Sequence, residues 1–71
     1  PSSPKRVAYL IEKGYPAEAL AKVFDRAKKQ RSEGSQILVV RMNKNKKFQK
    51  EKLKEQGYEE IEEFFSDKAI I

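Results

Sequence analysis

The chain has 71 residues, no cysteine, no histidine and a formal net charge of +5 at pH 7. A chain of this length forms one domain at most, and without cysteine it has neither disulfides nor a zinc ribbon to supplement a small core. Without histidine it lacks the commonest general base and the commonest metal ligand, so we expect no catalytic residues, no metal and no cofactor.

The charge is divided between a basic middle and an acidic tail. From residue 36 to 54, seven lysines and arginines stand against one acid, a net charge of +6. From residue 55 to 71, six acids stand against one lysine, a net charge of −5. We interpret the acidic tail as a solvated face rather than a cation site, because the spacing of a calcium-binding loop is absent.

Nothing in the sequence predicts a membrane protein. The apolar run Ile37–Val40 is far too short to cross a bilayer. No apolar segment of a signal peptide follows Lys5 and Arg6. Together with the missing cysteines, this favours a cytoplasmic protein with no membrane partner. Because the chain opens on Pro1, we expect a domain of a larger protein.

Residues 1–5 are rich in proline and serine and are expected to form a disordered lead. Residues 6–71 are expected to form a single α/β accessory domain. Its first strand is predicted at Arg6–Glu12, where apolar side chains alternate with smaller or polar ones. Gly14 ends this strand.

The first helix is predicted at Pro16–Glu33, with Pro16 at the first helical position and Gly34 just past the end. Its apolar residues recur at steps of three and four, which is the spacing of one helix face. They are expected to pack against the second strand and comprise Leu20, Val23, Phe24 and Ala27.

The second strand is predicted at Ser35–Met42. Its uninterrupted apolar run indicates burial on both faces, at the centre of the sheet. After a polar turn, a second helix is predicted at Lys46–Gln56 and closed by Gly57. Phe48 and Leu53 are its only large apolar residues, so we expect Phe48 to anchor it to the core.

The last segment, Tyr58–Phe65, fits either a helix or a strand. We favour a strand, because the preceding order of elements calls for a third one, and we expect its aromatic side chains in the core. The predicted fold is thus a small α/β domain, two-layered or three-layered, of order β-α-β-α-β. Its short sheet is expected to be mostly parallel, with right-handed crossovers.

The basic middle is the one serious candidate for a binding site. Lysines and arginines that run from a strand end through a turn into a helix can hold a phosphate backbone, and asparagine amides in the turn add hydrogen bonds. The alternative is a merely soluble surface, since Phe48 is the only aromatic residue among the lysines. The predicted nucleic-acid-binding residues are Arg41, Asn43, Lys44, Lys46, Lys47, Lys50 and Lys54.

Two stretches resemble the C-terminal, anticodon-binding-type domain of the histidyl-tRNA synthetase family. Lys13–Gly34 is similar to the family's first helix, which ends in an arginine-x-x-glycine turn, here at Arg31–Gly34, before a central strand. Asn45–Gly57 is similar to its lysine-rich second helix. The family's third strand is usually apolar, and this chain departs from it at Glu59, Glu60, Glu62 and Glu63.

The resemblance implies one of two roles. In the synthetase this domain binds the tRNA anticodon stem-loop. In the regulatory subunit of ATP phosphoribosyltransferase, a catalytically inert paralogue in histidine biosynthesis, a related domain is a structural and regulatory appendage. The Lys-Gly-Tyr sequence at 13–15 is slightly closer to the regulatory subunit.

We therefore expect a non-catalytic accessory domain that serves RNA recognition, of tRNA in particular, or regulatory assembly. Its expected partners are RNA and an attached synthetase-like body or partner protein. One alternative is a free-standing basic nucleic-acid-binding domain. Another is a protein–protein interaction module whose basic middle and acidic tail meet oppositely charged neighbours.

Overall fold

A computed structural model describes residues 4–66 and confirms the small α/β domain. The predicted positions of all five elements are correct to within about two residues, the usual uncertainty of element ends. Of the predicted disordered lead, residues 1–3 lie outside the described part, while the Lys5 ammonium bonds the Glu60 carboxylate. The elements are β1 (Arg6–Ile11), α1 (Ala17–Ser32), β2 (Gln36–Arg41), α2 (Lys46–Glu55) and β3 (Glu60–Phe64).

The three strands form one parallel sheet in the order β2-β1-β3. The prediction that the second strand is central is therefore wrong. β1 occupies the centre, and its residues Val7 to Leu10 are fully buried, whereas β2 is a half-buried edge. The physical reason is that Val7–Ile11 is also a continuous apolar run. The small side chain of Ala8 makes this run resemble the alternating pattern of a strand that is buried on one face only.

The reversal of strand order places the two helices on opposite faces, as right-handed crossovers in opposite directions require. α1 packs Val23 and Ala27 on the face of β1 that carries Tyr9. α2 packs Leu53 on the other face, against Leu10. The domain therefore has three layers, and each helix covers its own small core.

Three phenylalanines expected in the core are instead partly exposed. The exposed fractions are 49% for Phe24, 60% for Phe48 and 51% for Phe65. Phe24 is turned about 100° from Val23 around α1, towards the β2 edge, where a three-stranded sheet gives little cover. Phe64 does lie in the core, with its ring 5.2 Å from that of Tyr9 in an edge-to-face contact.

The helix ends follow the predicted glycines. Gly34 has a φ of +99° and Gly57 a φ of +96°, in the left-handed region that disfavours residues with a Cβ atom. Gly34 donates to the carbonyl of Arg31, and Gly57 to that of Lys54, so each closes the last turn of its helix.

Candidate nucleic-acid interface

The parallel sheet brings the loops that follow β1 and β2 to one edge, at the carboxyl ends of the strands, which is where open α/β sheets bind ligands. The N-termini of α1 and α2 lie at the same edge. Four exposed basic residues belong to these loops and their junctions, and we call them the basic edge. They are Lys13, Arg41, Lys44 and Lys47.

Within residues 4–66, no member of the basic edge forms an ion pair, because the ion pairs found there involve other cations. Lys13 was not among the predicted site residues. It follows β1, far in sequence from the basic middle, and the pairing of β1 with β2 brings the two loops together. Only the strand order could have revealed this neighbour.

The turn between β2 and α2 is held by Gln49. Its side-chain amide donates to the carbonyl of Arg41 at 2.8 Å, and its carbonyl oxygen accepts from the backbone N–H of Asn43 at 3.1 Å. Two bonds from one helical side chain fix the backbone where β2 ends. The positions of Arg41, Asn43 and Lys44 are thereby set by the fold.

The start of α2 concentrates positive charge. In the described structure, the Asn45 side chain makes no capping hydrogen bond, and the first turn carries Lys46 and Lys47 but no acid. The N-terminus of a helix is the positive end of its dipole, so these lysines stand where anions are favoured and cations are not. A bound phosphate would relieve this unfavourable arrangement.

Phe48 adds an apolar surface to the same place. It lines a shallow depression together with Lys44, Asn45, Lys46, Lys47 and one acid, Glu51. The ammonium of Lys52 lies 5.7 Å from its ring centre. The sequence contains the signal for this exposure: Phe48 and Leu53 are five positions apart, about 140° around a helix, so both cannot face the sheet.

Lys46 and Lys50, two of the predicted site residues, point towards β3. Their ammonium groups lie 2.9 Å and 3.3 Å from the carboxylate of Glu63. Lys46 also lies 5.0 Å from the ring centre of Phe65. Both lysines are thus engaged by the domain itself. Lys54 stands at the far end of α2, about 12 Å along the axis from Lys46.

The interpretation of the acidic tail as a solvated face is wrong for Glu62 and Glu63, which are half-buried. Alternation along β3 turns successive side chains to opposite faces of the sheet. Glu62 accordingly pairs with Arg26 of α1 at 2.8 Å, and Glu63 pairs with the lysines of α2. The acidic strand ties both helices to the sheet.

This arrangement makes stability depend on pH. The ion pair with Lys46, supported by Lys50 and opposed by burial, holds the pKa of Glu63 below its usual value. A carboxyl whose pKa is lowered by folding stabilises the fold above its unfolded pKa of about 4.3 and loses that contribution as the pH falls through the folded pKa.

We therefore expect Glu63→Gln to weaken the acid dependence of stability. The measurement is the urea midpoint between about pH 6 and about pH 2. The wild type should lose stability below about pH 4.3 more steeply than the variant. Glu51→Gln is the control, because Glu51 is exposed and has no ion pair within residues 4–66. Equal slopes for all three proteins would contradict this role of Glu63.

Comparisons with protein-family models, with curated proteins and with solved structures find no match to this chain. The resemblance to the histidyl-tRNA synthetase family stays a prediction that no relative tests. Within the described residues, no helix has both the length and the apolar character needed to cross a membrane.

Proposed function

We propose that this chain is a non-catalytic, cytoplasmic accessory domain that binds single-stranded RNA through the basic edge and Phe48. The observation that carries the proposal is that four exposed cations, without ion pairs in residues 4–66, meet at one edge of the sheet. The fold supplies no acid of β3 to neutralise them, because Glu62 and Glu63 pair with the helices.

The two kinds of side chain suit two parts of a nucleotide. Lys44 and Lys47 are placed to contact phosphates, with release of counterions. Phe48, which lines the same depression as these lysines, offers a ring on which an unpaired base can stack. Bases are accessible to such stacking in single-stranded loops and not in a duplex. A tRNA loop, the ligand that the family resemblance implies, is a substrate of this class.

The interaction-module alternative has less support. It needs an acidic tail that is free to meet a basic neighbour, and the carboxylates of Glu62 and Glu63 are already bonded to Arg26 and Lys46. Regulatory assembly on an attached body remains the second proposal from the resemblance, carried by the Lys-Gly-Tyr sequence at 13–15.

The test compares two triple variants of equal charge. Replacing Arg41, Lys44 and Lys47 with glutamine should weaken binding of a labelled RNA hairpin with a single-stranded loop. It should also make the slope of log K against log salt concentration shallower, by about 0.7 per lost phosphate contact or about 2 in total. The control replaces the exposed Lys22, Lys28 and Lys29 of α1. Fluorescence anisotropy over a range of salt concentrations measures both quantities.

A local site predicts a large loss for the first triple and a small one for the second. Equal losses would mean that RNA responds only to net charge. Failure of the wild-type chain to bind RNA at physiological salt would remove the proposal and favour regulatory assembly. Duplex DNA serves as the second probe, and binding it as tightly as the hairpin would contradict recognition of unpaired bases.

A further inference from the structure

The two outer strands of the sheet, β2 and β3, are protected very differently against pairing with another chain. β3 carries Glu60, Glu62 and Glu63, and charged residues on an edge strand hinder pairing with another chain. β2 carries four consecutive apolar residues, Ile37–Val40, all of them half-buried, with no proline, glycine or charge among them. A strand of that composition at an open edge is a template for another strand.

The hydrogen-bonding groups that face outwards from β2 can be identified. The N–H of Gln36 donates to Lys5 and that of Met42 donates to Ile11, so the even-numbered residues of this strand turn their N–H groups towards β1. The odd-numbered residues therefore face away from the sheet. Ile37 and Val39 present both of their backbone groups to that side, while the carbonyl of Arg41 already accepts from Gln49.

We propose that two copies of this chain associate through antiparallel pairing of their β2 strands about a twofold axis at Val39. With the axis at a residue, the residues that stand directly opposite each other carry their side chains on the same face of the sheet, as antiparallel pairing requires. In this register Val39 exchanges two hydrogen bonds with its own counterpart. Ile37 pairs with Arg41 of the second copy, whose carbonyl can accept a second bond.

Phe24 favours a second copy over another partner. It lines two clefts beside β2, and Val39 lines both of them, which places Phe24 next to the proposed axis. The twofold operation then brings the two half-exposed Phe24 rings together over the paired strands. Aromatic pairs of this kind are favoured beyond the area that they bury. An isologous contact needs a self-complementary surface, and a ring beside the axis meets its own counterpart.

The charges agree with the same register. No two like charges stand directly opposite each other along the strands, because Arg41 faces Ile37. Beyond the strand ends, Lys44 of one copy comes level with Gly34 of the other, next to the exposed Glu33. Lys28 and Arg31 line the Phe24 cleft and add repulsion between the copies, which salt would screen.

The expected assembly is a weak, closed dimer. A six-residue strand and one ring per copy form a small interface, at or below the roughly 1,200 Å² at which standard interfaces begin. Growth beyond two copies is blocked, since the remaining edge of each sheet is the acidic β3. Added salt should leave the dimer unchanged or strengthen it, whereas it should weaken RNA binding. Failure of the dimer proposal can therefore be distinguished from failure of the RNA proposal.

The test measures association of the 71-residue chain by sedimentation equilibrium from about 10 µM to about 1 mM, with amide hydrogen exchange at both limits. The wild type should dimerise, and the amides of Ile37, Val39 and Arg41 should become protected only at the higher concentration. Phe24→Lys should weaken association at least tenfold. Phe48→Lys, the same change on α2, should leave it intact.

Val39→Pro is the second variant, since it removes an N–H that no hydrogen bond among residues 4–66 uses, and proline is tolerated at such an edge position. It should abolish the dimer while circular dichroism shows an unchanged fold. A wild-type chain that stays monomeric at about 1 mM would overturn the proposal. So would a dimer that persists in both Phe24→Lys and Val39→Pro.

Discussion

Leu10→Ala is expected to lower the free energy of unfolding by about 2–5 kcal/mol, the range for a buried leucine. Leu10 is fully buried in the central strand, where it packs with Ala8 and Leu53 beneath α2. Domains of ordinary size are stable by only about 5–15 kcal/mol, and small ones lie low in that range. The variant should therefore lose a large share of its stability, seen as a lower urea midpoint.

Phe24→Ala is the matched comparison. Since Phe24 is 49% exposed, its truncation removes about half of a phenylalanine's burial and leaves no closed cavity. We expect a cost of about 1 kcal/mol, well below that of a buried aromatic residue. The measurement belongs at low protein concentration, where the monomer dominates. A cost as large as that of Leu10→Ala would contradict the position of Phe24 at the margin of α1.

The order and positions of the elements could be predicted because their signals are local. The step of three and four residues along α1 and the glycines at the helix ends each specify structure within a few residues. The strand order could not be predicted in this way. Val7–Ile11 and Ile37–Val40 are both apolar runs, and nothing within either run says which has neighbours on both sides.

In the candidate site, too, the features set by local sequence could be predicted, and those set by contacts between distant segments could not. Placing basic residues between β2 and α2 required only the local sequence, and the structure keeps Arg41, Lys44 and Lys47 there as exposed side chains. The engagement of Lys46 depends on β3 lying beside α2, a contact with Glu63 that no local pattern specifies. The exposure of Phe48 could have been predicted from the sequence, because Phe48 and Leu53 lie about 140° apart around the axis of α2.

Phe48→Ala is expected to reduce RNA affinity by about 1–3 kcal/mol, or roughly 5–150-fold, the contribution of one stacked base. Its effect on the urea midpoint should be small, because the ring is 60% exposed and contributes little to the core. Loss of binding without loss of stability separates a recognition residue from a structural one. The measurement is the same anisotropy titration, at fixed salt.

The salt dependence distinguishes stacking from charge. A ring that stacks on a base releases no counterions when RNA binds. Phe48→Ala should therefore lower the affinity at every salt concentration and leave the slope of log K against log salt concentration unchanged. The lysine and arginine triple should flatten that slope. Phe24→Ala is the control for this titration, since it removes another half-exposed ring, one that does not line the depression beside Phe48. If Phe24→Ala and Phe48→Ala weaken binding equally, Phe48 is not a stacking platform, and phosphate contacts alone must account for any affinity.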